Sequence, residues 1–280
     1  MIQQLMKNKD NAYEDHSNKV FGVVTAIVTN TKDPKKMARV KIKYAWMGEA
    51  KTVESNWARV VSFTAGNEMG AHFLPEVDDE VLVVFEHGNI NHPYIIGSVY
   101  SEKNKVIEKN EDGKNNIKMI KSRSGHTITL DDTDGKEKLI IEDKSEKRSI
   151  TFDAKEKTLD ILNDEDAISI NAKGDMTIKS EKKLTIEAKS GVDLKSDGDI
   201  NIQGKNVNLK SSASLGIKAG SSLSAKSSAG MTLEAGSSMS VKGSASAKLE
   251  GATVTVKGSG TGTFDGGGMA TIKGGMVKVN

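Results

Sequence analysis

The chain has 280 residues, with 40 Lys and Arg against 38 Asp and Glu, and no cysteine. The near balance of charge excludes a basic nucleic-acid footprint and an acidic tail, and the missing thiols exclude a disulfide scaffold and a thiolate metal site. No run approaches the roughly 20 apolar residues a spanning helix needs. The opening MIQQLMKNKDNAYEDHSN lacks the apolar stretch of a signal peptide, so the expectation is a protein made in the cytoplasm and exported, if at all, by another route.

Residues 1–18 read as an N-terminal arm. From 19 to 100 the chain alternates apolar and polar residues in the strand manner: VFGVVTAIVTN, ARVKIKYAW, NWARVVSF, DEVLVVFEHG and PYIIGSVY. Turn signals separate these runs, with DPKK around Pro34, AGNEMG around Gly66, LPEVDD around Pro75 and HGNINHP around Gly88. Five short strands with no helical period predict a small barrel, of OB type or, nearly as well by count, SH3-like. OB barrels often bind nucleic acid through aromatics and a basic groove. Here the aromatics alternate with aliphatics as in a core, and Glu76, Asp78, Asp79, Glu80 and Glu86 offset the lysines, so no nucleic-acid partner is expected.

Residues 101–117 form a polar linker. A β-rich junction follows over 118–167, where Asp134-Gly135 between ITL and LII predicts a hairpin turn. From Ile168 the chain repeats every eight residues: ISINAKGD, MTIKSEKK, LTIEAKSG, VDLKSDGD and so on through thirteen lines, three of them one residue short. Each line predicts a four-residue strand with apolar first and third positions and a Ser, Gly, Ala or Lys corner. The third column is Ile170, Ile178, Ile186, Leu194, Ile202, Leu209, Ile217, Ala225, Leu233, Val241, Leu249, Val256 and Phe264, and all but Ala225 are assigned to a buried core. The fourth column is mostly Lys, Glu, Gln and Asn and faces water.

One octad buries too little to offset the entropy of ordering it, so octads must stack and close around an axis. Eight residues make one face and one corner of a prism. Three chains winding together close a triangle, which predicts an intertwined homotrimer, a needle of roughly 65 Å at about 4.8 Å per strand. The fold class expected is all-β: an N-terminal OB barrel followed by a trimeric β-helix over 168–280.

The barrel with this repeat resembles the central spike proteins of contractile injection systems: phage baseplate spikes, R-type bacteriocin spikes and the VgrG-type proteins of type VI secretion. WARVVSFTAG with FLPEVDDEVLVVFEHG and PYIIGSVY resemble the family's OB domain, IKSRSGHTITLDDTDGKEKL its barrel-to-needle junction, and GGGMATIKGGMVKVN its needle tip. The resemblance implies a non-enzymatic, membrane-piercing spike that touches the target envelope only transiently. VgrG-type proteins carry a long hub domain ahead of the barrel. With fewer than twenty residues there, a complete chain would sit on a separate hub protein, with the 1–18 arm as the expected contact. The 101–117 linker leaves no room for a lysozyme domain, and no histidine follows His126 to build an iron-binding tip. The resemblance then implies a separate PAAR-type tip protein landing on Gly274, Gly275, Met276, Val277, Lys278, Val279 and Asn280.

Chemistry elsewhere reads as structural. Glu86, His87 and His92 suggest a metal site, but a turn between barrel strands is the simpler account. DDTDGKE lacks the spacing and terminal Glu of a calcium loop. GSGTGTFDGGG is neither a phosphate loop nor a calcium nonapeptide. The many serines of the octads sit in corner positions with no histidine among them, and the outward column offers no carboxylate cleft. No catalytic residue, cofactor or metal is therefore assigned. The alternatives are a tailspike-type carbohydrate-binding or polysaccharide-cleaving β-helix, which would need larger coils and a carboxylate-lined groove, and a trimeric adhesin, which would need a secretion signal and an anchor.

Overall fold

A computed structural model describes residues 19–47 and 54–279, so the 1–18 arm, His16 and Asn280 lie outside the described residues. Five strands close a barrel: β1 (Val24–Asn30), β2 (Arg39–Tyr44), β3 (Ala58–Val60), β6 (Glu80–Phe85) and β7 (Pro93–Ser98). Two two-residue strands, β4 (Ala65–Gly66) and β5 (Met69–Gly70), make a small separate hairpin between β3 and β6. The barrel order is β1-β2-β3-β7-β6, with β6 returning to β1. All pairings are antiparallel except β3 with β7, where Arg59 faces Tyr94 and Val60 faces Ile95. That one parallel closure separates an OB-like barrel from an up-and-down meander.

Period-two alternation builds the core. In β2 and β6 every second residue is buried: Val40, Ile42 and Tyr44, and Val81, Val83 and Phe85. Ala26 and Val28 from β1, Ala58 from β3 and Ile95 from β7 complete it. The aromatics do not all follow the expectation of a core. Tyr44 and Phe85 pack together with ring centroids 5.8 Å apart, but Trp46, Phe63, Phe73 and Tyr100 are exposed. Trp46 lies in the one-turn 3-10 segment after β2, and Phe63 and Phe73 flank the β4–β5 hairpin, where strand alternation no longer directs side chains inward.

Beyond the barrel a five-stranded antiparallel meander runs β8 (Ile117–Lys121), β9 (Thr127–Asp131), β10 (Lys138–Glu142), β11 (Arg148–Asp153) and β12 (Thr158–Asn163). Ile117 opens β8, so the sheet starts at the last residue assigned to the linker. The Asp-Gly turn forms as expected: Asp131 pairs with Lys138, the Lys136 amide donates to the Thr133 carbonyl at 2.8 Å, and Gly135 takes φ +66°. The Asp131 carboxylate accepts the Thr133 hydroxyl hydrogen bond and the Thr133 amide, which hold its pKa down.

The register of this sheet aligns its apolar residues in rows. Ile120 faces Ile128, Ile128 faces Ile141, Ile141 faces Ile150 and Ile150 faces Ile161. On the same face the neighbouring row is Lys118, Leu130, Leu139, Phe152 and Leu159. The opposite face carries Lys138 paired with Asp153 at 2.8 Å, and Thr129 and Thr151 on either side of Ile140.

The chain divides into two units, Met1–Lys182 and Lys183–Asn280. Among the described residues no strand follows Asn163, and residues 168–279 are exposed throughout. The octad strands expected there do not pair within one chain, because a strand needs a neighbour to receive its hydrogen bonds and a lone coil offers none at eight-residue spacing.

Candidate functional site

The site is built from columns rather than a cleft. The twelve third-column residues assigned to a core keep 62–84% of their surface exposed, from Ile217 at the low end to Phe264 at the high end. First-column residues such as Ile168, Met176, Leu184, Val192, Ile200 and Val207 lie at 53–57%. Leu215 at 60% and Leu223 at 67% carry the first column into the range of the third, and both apolar columns stand uncovered repeat after repeat. Full burial of one such side chain stabilises by about 1.5–3 kcal/mol, so a dozen left open amount to tens of kcal/mol of unmade packing. Nothing in the described chain covers them.

The tip residues Gly274, Gly275, Met276, Val277, Lys278 and Val279 are all exposed, with Met276 at 87% and Val279 at 88%. They form an apolar, strand-free end of the described chain.

Residues weighed for metal chemistry sit in turns. Glu86–Gly88 is a one-turn 3-10 segment between β6 and β7; the Glu86 amide donates to the His92 carbonyl at 3.1 Å and the His92 amide to the Asn89 carbonyl at 2.9 Å. His92 Nδ1 lies 3.2 Å from Glu86 Oε2, and His87 takes φ 51° in the turn. In the Asp134 loop, Asp132 pairs with Lys118 at 2.7 Å, and the Asp131 oxygens face their own loop. Among the described residues no three His, Asp or Glu come together in a group that could hold a metal ion.

The barrel presents a feature the sequence reading missed. On the surface of β2, β3 and β7, Arg39 and Lys41 lie over the Trp57 ring at 5.9 and 5.7 Å, and Arg59 over Tyr94 at 5.8 Å. Two of these cations already hold a carboxylate, Arg39 with Asp33 at 2.7 Å and Lys41 with Glu54 at 2.8 Å. The signal was present as alternation, since Arg39 and Lys41 are the outward residues of a strand whose inward ones are Val40 and Ile42. The isoleucine rows of the meander were also missed. HTITLD and SITFD alternate and KLIIE and TLDILN do so only in part, and pairing partners are not written in one strand.

The described chain thus combines a closed OB-like barrel, an antiparallel meander and an octad repeat whose apolar columns are open. Residues 24–100 match the family model of the type VI secretion system/phage-baseplate injector OB domain. The chain is similar to the type VI secretion system spike protein VgrG5 of Pseudomonas aeruginosa, 35% identical over 94 residues, covering 31% of this chain and 12% of the relative. VgrG4b of the same organism is 29% identical over 135 residues, 44% of this chain and 17% of its own. The resemblance to VgrG-type baseplate and spike proteins read from the sequence is thus borne out, while the chain spans less than a fifth of these relatives. Their naming as spike proteins fits a non-enzymatic reading. No helix among the described residues is long and apolar enough to cross a membrane.

Proposed function

We propose that this chain is a homotrimeric, non-enzymatic, membrane-piercing central spike of a contractile injection apparatus. The observation that carries the reading is the third column. Twelve large apolar side chains at one position of the octad stay open to solvent, each in the same way, and two further copies winding around a common axis would bury all of them at once. The same winding would give the octad backbone its missing strand partners. Residues 19–100 act as the seat on the hub at the end of the tail tube, with the 1–18 arm as a second contact. Residues 101–117 link the barrel to a junction at 118–167, and 168–280 form the needle. Gly274 to Val279, with Asn280, are the landing surface of a PAAR-type tip protein. Assembly takes place in the cytoplasm, in the baseplate of a phage tail, bacteriocin or secretion particle, and the needle meets the target envelope when the sheath contracts. An interwoven prism suits that load, because no strand leaves without breaking pairings to other chains, which makes unfolding slow.

Light scattering of the purified chain, with gel mobility in detergent before and after boiling, tests this. A mass of three chains that survives detergent until boiled is the expected result. A mass of one chain overturns the trimeric needle and returns the octads to a single-chain β-helix whose faces would be searched for carbohydrate binding.

A further inference from the structure

The meander has its faces inverted for a single chain. In β11, Arg148–Asp153, the residues of the polar face, Ser149, Thr151 and Asp153, are partly covered while Ile150 and Phe152 stand exposed. The same holds across the sheet: Ile120, Ile128, Ile141, Ile150 and Ile161, one directly opposite the next over all five strands, are 38–61% exposed. This unbroken isoleucine ladder floors the open groove whose other wall is the barrel segment around Phe73 and Leu74. With the exposed Leu130, Phe152 and Leu159 of the adjacent row it leaves roughly 700 Å² of apolar surface per chain, close to the ~800 Å² each partner gives a stable interface and above the roughly 300–600 Å² of the largest apolar patch on a typical monomer.

We propose that this isoleucine ladder is a second, non-repetitive contact with two further copies of the same chain, and that it sets the alignment in which the octads wind. The inference rests on the trimeric reading above and adds to it a separate surface and a role. The occupant is argued from the sequence on either side. Only the short polar turn at 163–166 separates the ladder from the octads, and Ile161 and Ile168, the first octad residue, line the same groove, so whatever covers one reaches the other. The charges on the ladder's own face stand in the rows that flank it and are already paired, Lys118 with Asp132 at 2.7 Å and Arg148 with Asp143 at 3.6 Å, while Lys138 holds Asp153 on the opposite face.

Alignment is the physical need that the ladder meets. Thirteen near-identical octads pair almost as well when one chain slips by a whole octad, since every column then meets the same residue types. A flat isoleucine ladder of fixed width, present once per chain, allows only one arrangement of three sheets about an axis. The repeat supplies most of the buried area and the ladder supplies the uniqueness.

The chain has no native cysteine, which makes cross-linking selective. In the full-length protein, Ile141→Cys on the central strand is expected to form interchain disulfides on mild oxidation, and Thr151→Cys on the opposite face is not. Leu209→Cys, deep in the octad column, is expected to cross-link equal positions of neighbouring copies. Combining Leu209→Cys with Ile141→Glu should remove most of that yield as the repeats slip. Thr151→Glu in place of Ile141→Glu should leave the yield unchanged. The ladder is overturned if Ile141→Cys cross-links no better than Thr151→Cys, or if Leu209→Cys cross-links as well with Ile141→Glu as without it. Should Ile141→Glu prevent folding, seen as loss of the native tryptophan emission, the comparison of the two single cysteines decides alone. A wild-type mass of one chain removes the trimer and the ladder together, whereas a three-chain wild type with indifferent variants removes only the ladder.

Discussion

Two barrel residues carry titratable groups whose environments predict measurable behaviour. Asp33 accepts hydrogen bonds from Arg39 Nε at 2.8 Å and Nη2 at 2.7 Å, and from the amides of Lys35 at 2.9 Å and Met37 at 3.0 Å. The Arg39 guanidinium above all, then the loop amides, hold its carboxyl well below the usual carboxylate range. Since the folded value lies below the unfolded one, the stabilisation is complete above the ordinary carboxylate pKa and disappears as pH falls through that range and below it. Asp33→Asn is therefore expected to lower the urea midpoint at pH 7, with the gap to wild type closing in acid. A gap that persists unchanged in acid would show that charge is not the cause. Tyr44 is the mirror case. It is 3% exposed, its hydroxyl has no hydrogen-bond partner among the described residues, and burial pushes its pKa up from 10.0 to about 12. The folded state keeps a proton that the unfolded state gives up, so stability present below pH 10 is lost on the way to pH 12, by at most about 2–3 kcal/mol. Tyr44→Phe is expected to remove that alkaline loss and, at pH 7, to be neutral or stabilising by up to about 1 kcal/mol. Denaturant titrations at the two pH values check both.

At the scale of elements, the β4–β5 hairpin shows where backbone geometry rules. Gly70 takes φ +141°, and a Cβ there would lie 2.5 Å from the Thr64 carbonyl oxygen. Gly70→Ala is expected to cost about 1–3 kcal/mol in thermal unfolding. Gly97, in β7, has nothing within 4 Å of an added Cβ, so Gly97→Ala should stay within about 0.5 kcal/mol of wild type. The five barrel strands were legible because period-two alternation marks each one. The parallel β3–β7 closure was not, since it joins residues about 35 apart and only the packed barrel brings Arg59 opposite Tyr94. The Asp-Gly hairpin was legible for the opposite reason: a two-residue turn signal lies within the local sequence. The cation-π stripe on Trp57 and the isoleucine ladder fall between these cases. Their residues alternate visibly, but which residues meet depends on strand pairing.

The octads govern the molecule as a whole. Ile202 stands for its column, 69% exposed and flanked by Leu194 and Leu209 one repeat away on either side. In a wound assembly Ile202→Asp would place an unpaired carboxylate at the axis, and the detergent-resistant band is expected to disappear or to dissociate at markedly lower temperature. Lys218→Gln, on the outward column, should leave it unchanged. Hydrogen exchange offers an independent reading of the same question. Amides of 168–273 should be strongly protected in the assembled protein if octad strands pair between chains, and should exchange within the dead time if each chain stands alone.

The sequence by itself determined the all-β class, the five barrel strands, the eight-residue period and the two apolar columns, because alternation and repetition are local properties that need no partner to be seen. Tertiary structure alone decided how the barrel closes, which aromatics enter its core and which rows of the meander line up, because each depends on residues brought together by hydrogen-bonded register. It also showed that one chain leaves its apolar columns open: burial is a property of neighbours, and a single octad strand brings none with it.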